Sequence, residues 1–206
     1  MGMATARANS DGGSDGERQR AERQLAEAHD QFVESWSRMA SEWGISRTMA
    51  EVHALLFVTG EPMNADELME RLEISRGNAS MTLRSLMDWG VVSRVRVRGD
   101  RKDYFQAEQD VWSMFRQIAR ERMKREVEPL LASLGEIRTL TPEVGKSGAE
   151  EIRALNQRLD DVQEVLTLLT TLSDRFAGPG GSGLRTALKL LAKTVRAPKK
   201  GVKASD

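Results

Sequence analysis

Two short runs carry most of the polar chemistry in this chain of 206 residues. One is Ser75-Arg76-Gly77-Asn78, followed at helical spacing by Met81, Thr82 and Ser85. The other is Arg98-Gly99-Asp100-Arg101-Lys102, a charged segment around a Gly-Asp pair. Guanidinium and ammonium groups in such settings attract phosphate oxygens. An Asn amide presents a donor beside an acceptor, which matches the edge of adenine, and Arg forks onto guanine. Met and Thr methyls suit the thymine methyl. Gly77 adds no side chain to hold a polymer backbone at a distance.

These residue types do not suit bond-making. The two histidines, His29 and His53, lack an HExxH spacing. Glu51 and His53 are two apart, so on a helix they diverge. There is no cysteine, which removes disulfides, thiolate metal sites and Cys nucleophiles. Gly178-Pro179-Gly180-Gly181-Ser182-Gly183 imitates the glycine frame of a phosphate-binding loop. Leu184-Arg185 stands where Lys-Ser/Thr is required, so the segment is a linker. No nucleophile–base pair, metal site or cofactor site emerges, and the expectation is a protein that is not an enzyme.

Charge distribution then selects a partner. The net charge is zero, but the two runs sit in a basic half. Residues 46–74 hold two basic and six acidic side chains, whereas residues 75–102 hold seven basic and two acidic. A local positive field beside small polar groups points to double-stranded DNA. A protein-interaction scaffold without base recognition is the competing reading, and the charge bias argues against it.

The elements that must position these runs follow from periodicity. Residues 1–18 are small, polar and Gly-rich, and are expected to be a disordered tail. Residues 19–45 form a long helix with Leu25, Phe32, Trp36, Met39 and Trp43 on one stripe. Within residues 46–107, one helix runs from Arg47 to Val58 and is stopped by Gly60-Glu61-Pro62, and a second opens on the Asn64/Glu67 capping pattern. Ser75 caps a third, whose Ala79, Leu83 and Leu86 face inward. Alternation from Val91 to Arg98 predicts a strand, with Asp103 to Ala107 as its return. This order is a winged helix-turn-helix, mainly α with a small β-wing. In such a fold the start of the third helix enters the major groove, and the wing meets phosphate or the minor groove.

Residues 108–177 form a helical arm. A helix from Asp110 to Ile137 precedes a loop and a Ser147/Glu150 cap. Ile152, Leu155, Leu159, Val162, Leu166 and Leu169 then recur at three and four, the seam of a coiled coil. An apolar seam must bury against something, either the Trp36/Trp43 helix of the same chain or a second copy; with Leu25 and Phe32, these residues are the candidate dimer interface. A homodimer would match a two-fold operator. Residues 178–206 are a Gly-rich linker and a basic end.

Gly44-Ile45-Ser46-Arg47-Thr48, Ile74-Ser75-Arg76-Gly77-Asn78-Ala79-Ser80-Met81, Trp89-Gly90-Val91-Val92 and Gly99-Asp100-Arg101-Lys102-Asp103-Tyr104-Phe105 resemble the GbsR branch of MarR-type bacterial transcription regulators. The resemblance covers residues 30–137. It implies a MarR-like dimeric repressor, some relatives of which sense choline or similar osmoprotectants. A quaternary amine needs a cage of aromatic faces, which singles out Trp36, Trp43 and Trp112 as candidate effector contacts. Without a membrane-length apolar run or an apolar leader, the protein is expected to be cytoplasmic and not to bind membranes.

Overall fold

The computed structural model describes residues 11–141 and 150–177, arranged as two compact units that divide between Val111 and Trp112. The predicted tail over residues 1–10, the Ser147 cap, and the linker and basic end from residue 178 lie outside the described residues.

In the first unit α1 spans Asp11–Glu42 and α2 spans Arg47–Thr59. Helix α1 thus takes in residues 11–18, which composition assigned to a disordered tail. It packs along α2 through Val33, Ser37 and Ala40, one position over from the large apolar stripe. Small side chains explain the offset. Ser37 and Ala40 on α1 and Ala50 and Ala54 on α2 are buried and let two helices approach closely. Phe32 and Trp36 flank this contact. Phe32 stacks on Trp36 and on Phe57, with ring centroids 5.7 and 6.1 Å apart. Leu25 stays 57% exposed.

Helix α2 is the buried centre, with Val52, His53, Ala54, Leu55 and Leu56 all sequestered. It stops at Gly60, whose positive φ of 71° suits a residue without Cβ. A two-residue strand, β1 (Met63–Asn64), follows. It was not legible as a strand, because two residues have no periodicity. Helix α3 (Ala65–Leu72) opens on the expected capping box. The Asn64 N–H donates to Glu67 at 2.7 Å, and Asn64 Oδ1 accepts from the backbone of Asp66 and Glu67. Helix α4 (Arg76–Asp88) starts at Ser75, whose hydroxyl accepts the Asn78 N–H.

Strands β2 (Val92–Val95) and β3 (Tyr104–Ala107) complete an antiparallel sheet in the order β1-β3-β2. The ladder runs from Val92 opposite Ala107 to Val95 opposite Tyr104. The strand therefore ends three residues short of Arg98, and residues 96–103 are the connection. The fold is a mainly helical winged helix-turn-helix, as the periodicity and turn residues indicate.

In the second unit α5 (Val111–Arg122) continues through a π-helical turn (Met123–Val127) into α6 (Glu128–Leu140). Pro129, near the start of α6, has no N–H to give the preceding turn, so wider hydrogen bonding there is the expected accommodation. Helix α7 spans Glu150–Ala177. It is tied to α6 by Arg138, which donates to both oxygens of Asp160 at 2.8 and 3.3 Å. Buried Asn156 exchanges hydrogen bonds with Thr141.

Candidate nucleic-acid interface

The start of α4 is held by local chemistry. Its N-cap fixes the first turn, and Ala79, Leu83 and Leu86 anchor one face in the core. The other face presents Ser75, Arg76, Gly77 and Met81 to solvent, Met81 at 65% exposure. Its unbranched thioether stands largely in solvent and can adapt its shape to a partner surface.

Thr82 requires a correction. The sequence placed it on the outer face, but it is 6% exposed. Position 82 lies one helical turn from Asn78, Ala79 and Leu86, so it falls on the edge of the face that α4 turns to the core. Its hydroxyl faces Asn78 Oδ1 at 3.4 Å. Asn78 is half-buried and donates to the Thr48 hydroxyl at 3.4 Å. Both bonds are long, so the Asn78 amide is oriented by them without being locked. Ser85 is half-buried.

The wing tip is organised by Asp100. Gly99 adopts φ 92°, and the Asp100 N–H donates to the Val97 carbonyl. The Asp100 carboxylate accepts the Lys102 N–H at 2.9 Å and the Tyr104 hydroxyl at 2.8 Å. These donors hold its pKa below the ordinary carboxylate value. Asp103 pairs with Arg94, and Arg94 lies 6.0 Å from the Phe105 ring centroid. Both wing carboxylates are thus engaged, and Arg98, Arg101 and Lys102 are exposed around them.

One residue outside both runs links them. Asp66, in the first turn of α3, accepts from Arg76 and from Lys102, each at 3.1 Å. The first residue of α4 and the wing tip therefore converge on a single carboxylate. Lys102 and then Arg76 hold the Asp66 pKa down, and Asp66 raises that of Lys102. Sequence inspection missed Asp66, because its partners lie 10 and 36 positions away.

Known proteins share parts of this arrangement. The sequence pattern of the MarR family matches residues 43–103. The chain is similar to three proteins of Bacillus subtilis (strain 168). The putative HTH-type transcriptional regulator YvaV is 26% identical over 66% of this chain and 82% of that protein. The HTH-type transcriptional repressor OpcR is 26% identical over 72% and 82%. The HTH-type transcriptional repressor GbsR is 28% identical over 54% and 62%. A crystal structure of a transcriptional regulator shares the fold, with a TM-score of 0.53 at 21% identity, covering 73% of this chain and 98% of that one.

The remaining predicted residues fall on both sides of the segment that matches the MarR family. Trp36 is half-buried and packs 5.9 Å from the His53 ring, so much of its face is used internally. Trp43, in the turn just after α1, is 55% exposed. Trp112 is half-buried at the start of the second unit. On α7, Ile152, Leu159 and Leu166 are half-buried, whereas Leu155, Val162 and Leu169 are exposed. No described helix is long and apolar enough to cross a membrane.

Proposed function

We propose that the chain is a DNA-binding transcriptional repressor that acts as a homodimer on a two-fold operator. The observation that carries this reading is the convergence of Arg76 and Lys102 on Asp66. It places the start of α4 and the basic wing at one surface, where a groove-reading helix and a phosphate contact are needed together. The match of residues 43–103 to the MarR family and the similarity to relatives named as repressors support the same reading. Ser75, Arg76, Gly77, Asn78, Met81 and Ser85 supply the groove face, and Arg98, Arg101 and Lys102 supply the backbone and minor-groove contacts. Thr82 is excluded by its burial. The second copy covers the apolar face of α7. Selection of bound fragments from random duplex DNA tests this function. A recovered two-fold motif is expected, and recovery of unenriched sequence would contradict it.

A quaternary-amine effector is the finer part of the reading. Such a cation has no N–H to donate and must be held by aromatic faces. Trp43 offers an exposed indole. Calorimetry with choline, betaine aldehyde and glycine betaine at millimolar levels is expected to show heat, together with a reciprocal change in operator affinity. No heat and no change would return Trp36, Trp43 and Trp112 to a packing role.

A further inference from the structure

Asp66 sits on a rigid base. The capping box fixes the first turn of α3. The strand just before it, β1, pairs with β3, which begins two residues after Lys102. From that base one carboxylate reaches two exposed cations on separate elements, Oδ1 to Arg76 and Oδ2 to Lys102. Each cation keeps most of its capacity. Arg76 offers five N–H donors and Lys102 three, and each commits one to Asp66. The two can therefore hold Asp66 and a phosphate together.

We infer that Asp66 is a positioning residue that sets the spacing between wing and α4, and through it the discrimination between base sequences. The inference rests on the DNA-binding reading above. Phosphate contacts fix the register of a protein on the duplex, and base-edge contacts read sequence only in that register. A wing freed from α4 still attracts phosphate, but it lets α4 settle in several registers. Affinity for any duplex then survives while preference decays. A simple electrostatic role gives a different signature. Removing one negative charge near phosphates would tighten binding to all duplexes by one common factor.

The test uses the full chain, a duplex recovered by selection, and a scrambled duplex of equal length. Fluorescence anisotropy at fixed salt gives the affinity ratio for wild type, Asp66→Asn and Asp66→Glu. Asp66→Asn keeps the shape and loses the charge. Its ratio is expected to fall about fivefold, the scale of two exposed ion pairs acting together. Its affinity for the scrambled duplex is expected to hold or rise. Asp66→Glu keeps the charge and is expected to retain most of the ratio. Equal shifts on both duplexes in Asp66→Asn would overturn the inference and leave DNA binding intact. A wild type that does not prefer the selected duplex would overturn the DNA-binding reading, and this inference with it.

Discussion

The two units dispose of their apolar side chains in opposite ways. In the first, Val52, Leu55, Leu56, Leu68, Leu86 and Val91 are almost wholly buried around α2. In the second, Met114 and Leu134 are the buried large hydrophobics among the described residues. Its helices leave Leu140 at 79%, Val165 at 58% and Leu168 at 57% exposed. Burial of a Leu or Val side chain stabilises by roughly 1.5–3 kcal/mol. The first unit collects that stabilisation by itself, and the second leaves much of it uncollected. A winged helix-turn-helix unit that closes its own core can hold α4 and the wing in place. A helical arm with an open apolar face suits assembly with another copy.

The contrast can be broken first at the cores. Leu86→Ala opens a cavity beneath α4 and is expected to destabilise the first unit by roughly 2–5 kcal/mol. Leu168→Ala, on the open face of α7, is expected to leave chemical denaturation of the first unit unchanged. Equal losses in that unit from both substitutions would contradict the contrast.

Oligomeric state gives the next test. Leu166→Asp places a carboxylate on the α7 seam, where a covering partner would desolvate it at a cost of several kcal/mol. Sedimentation is expected to show wild type as a dimer at micromolar concentration and the variant shifted toward monomer. A monomeric wild type would remove the assembly half of the account.

Acid titration separates the units through His53. Its imidazole is buried between Trp36 and Phe57, its Nε2 has no hydrogen-bond partner, and burial lowers its pKa to about 4. The unfolded value is near 6.5, so between the two values the unfolded chain binds more protons and stability rises with pH. This contribution is complete above 6.5 and is lost as pH falls toward 4, a change of about 3 kcal/mol. His53→Phe keeps a ring in the stack and is expected to flatten denaturation midpoints over that window. An unchanged pH dependence would show that His53 is not the group responsible.

The smallest effects distinguish affinity from choice. Arg101→Ala is expected to weaken all duplexes by a similar factor. Asn78→Ala is expected to cost roughly 1–3 kcal/mol at one base position and little elsewhere. A panel of single-base variants of the selected duplex measures both. Unchanged preferences in Asn78→Ala would remove that amide from the reading face.

What the sequence disclosed follows from the range of the interactions. The Asn64/Glu67 box, the Ser75 cap and the Gly60 stop are chemistry within four residues, and all were legible. The inward face of α4 was legible at Ala79, Leu83 and Leu86, where the residues are apolar. It was misread at Thr82, because a hydroxyl gives no sign of the neighbour that covers it. On α1 the large side chains drew attention to Leu25 and Trp43, while close packing used Ser37 and Ala40. The candidate site was legible as two basic runs. Their junction at Asp66 was hidden, since an acidic residue in a first helical turn has a sufficient local explanation.

Hydroxyl-radical footprinting on the selected duplex tests the central claim most directly, because it reports α4, wing and assembly together. Two equivalent protected half-sites are expected, related by two-fold symmetry and centred about one helical turn, or a multiple of it, apart. A single asymmetric protection, or none at concentrations where the protein binds, would contradict the account.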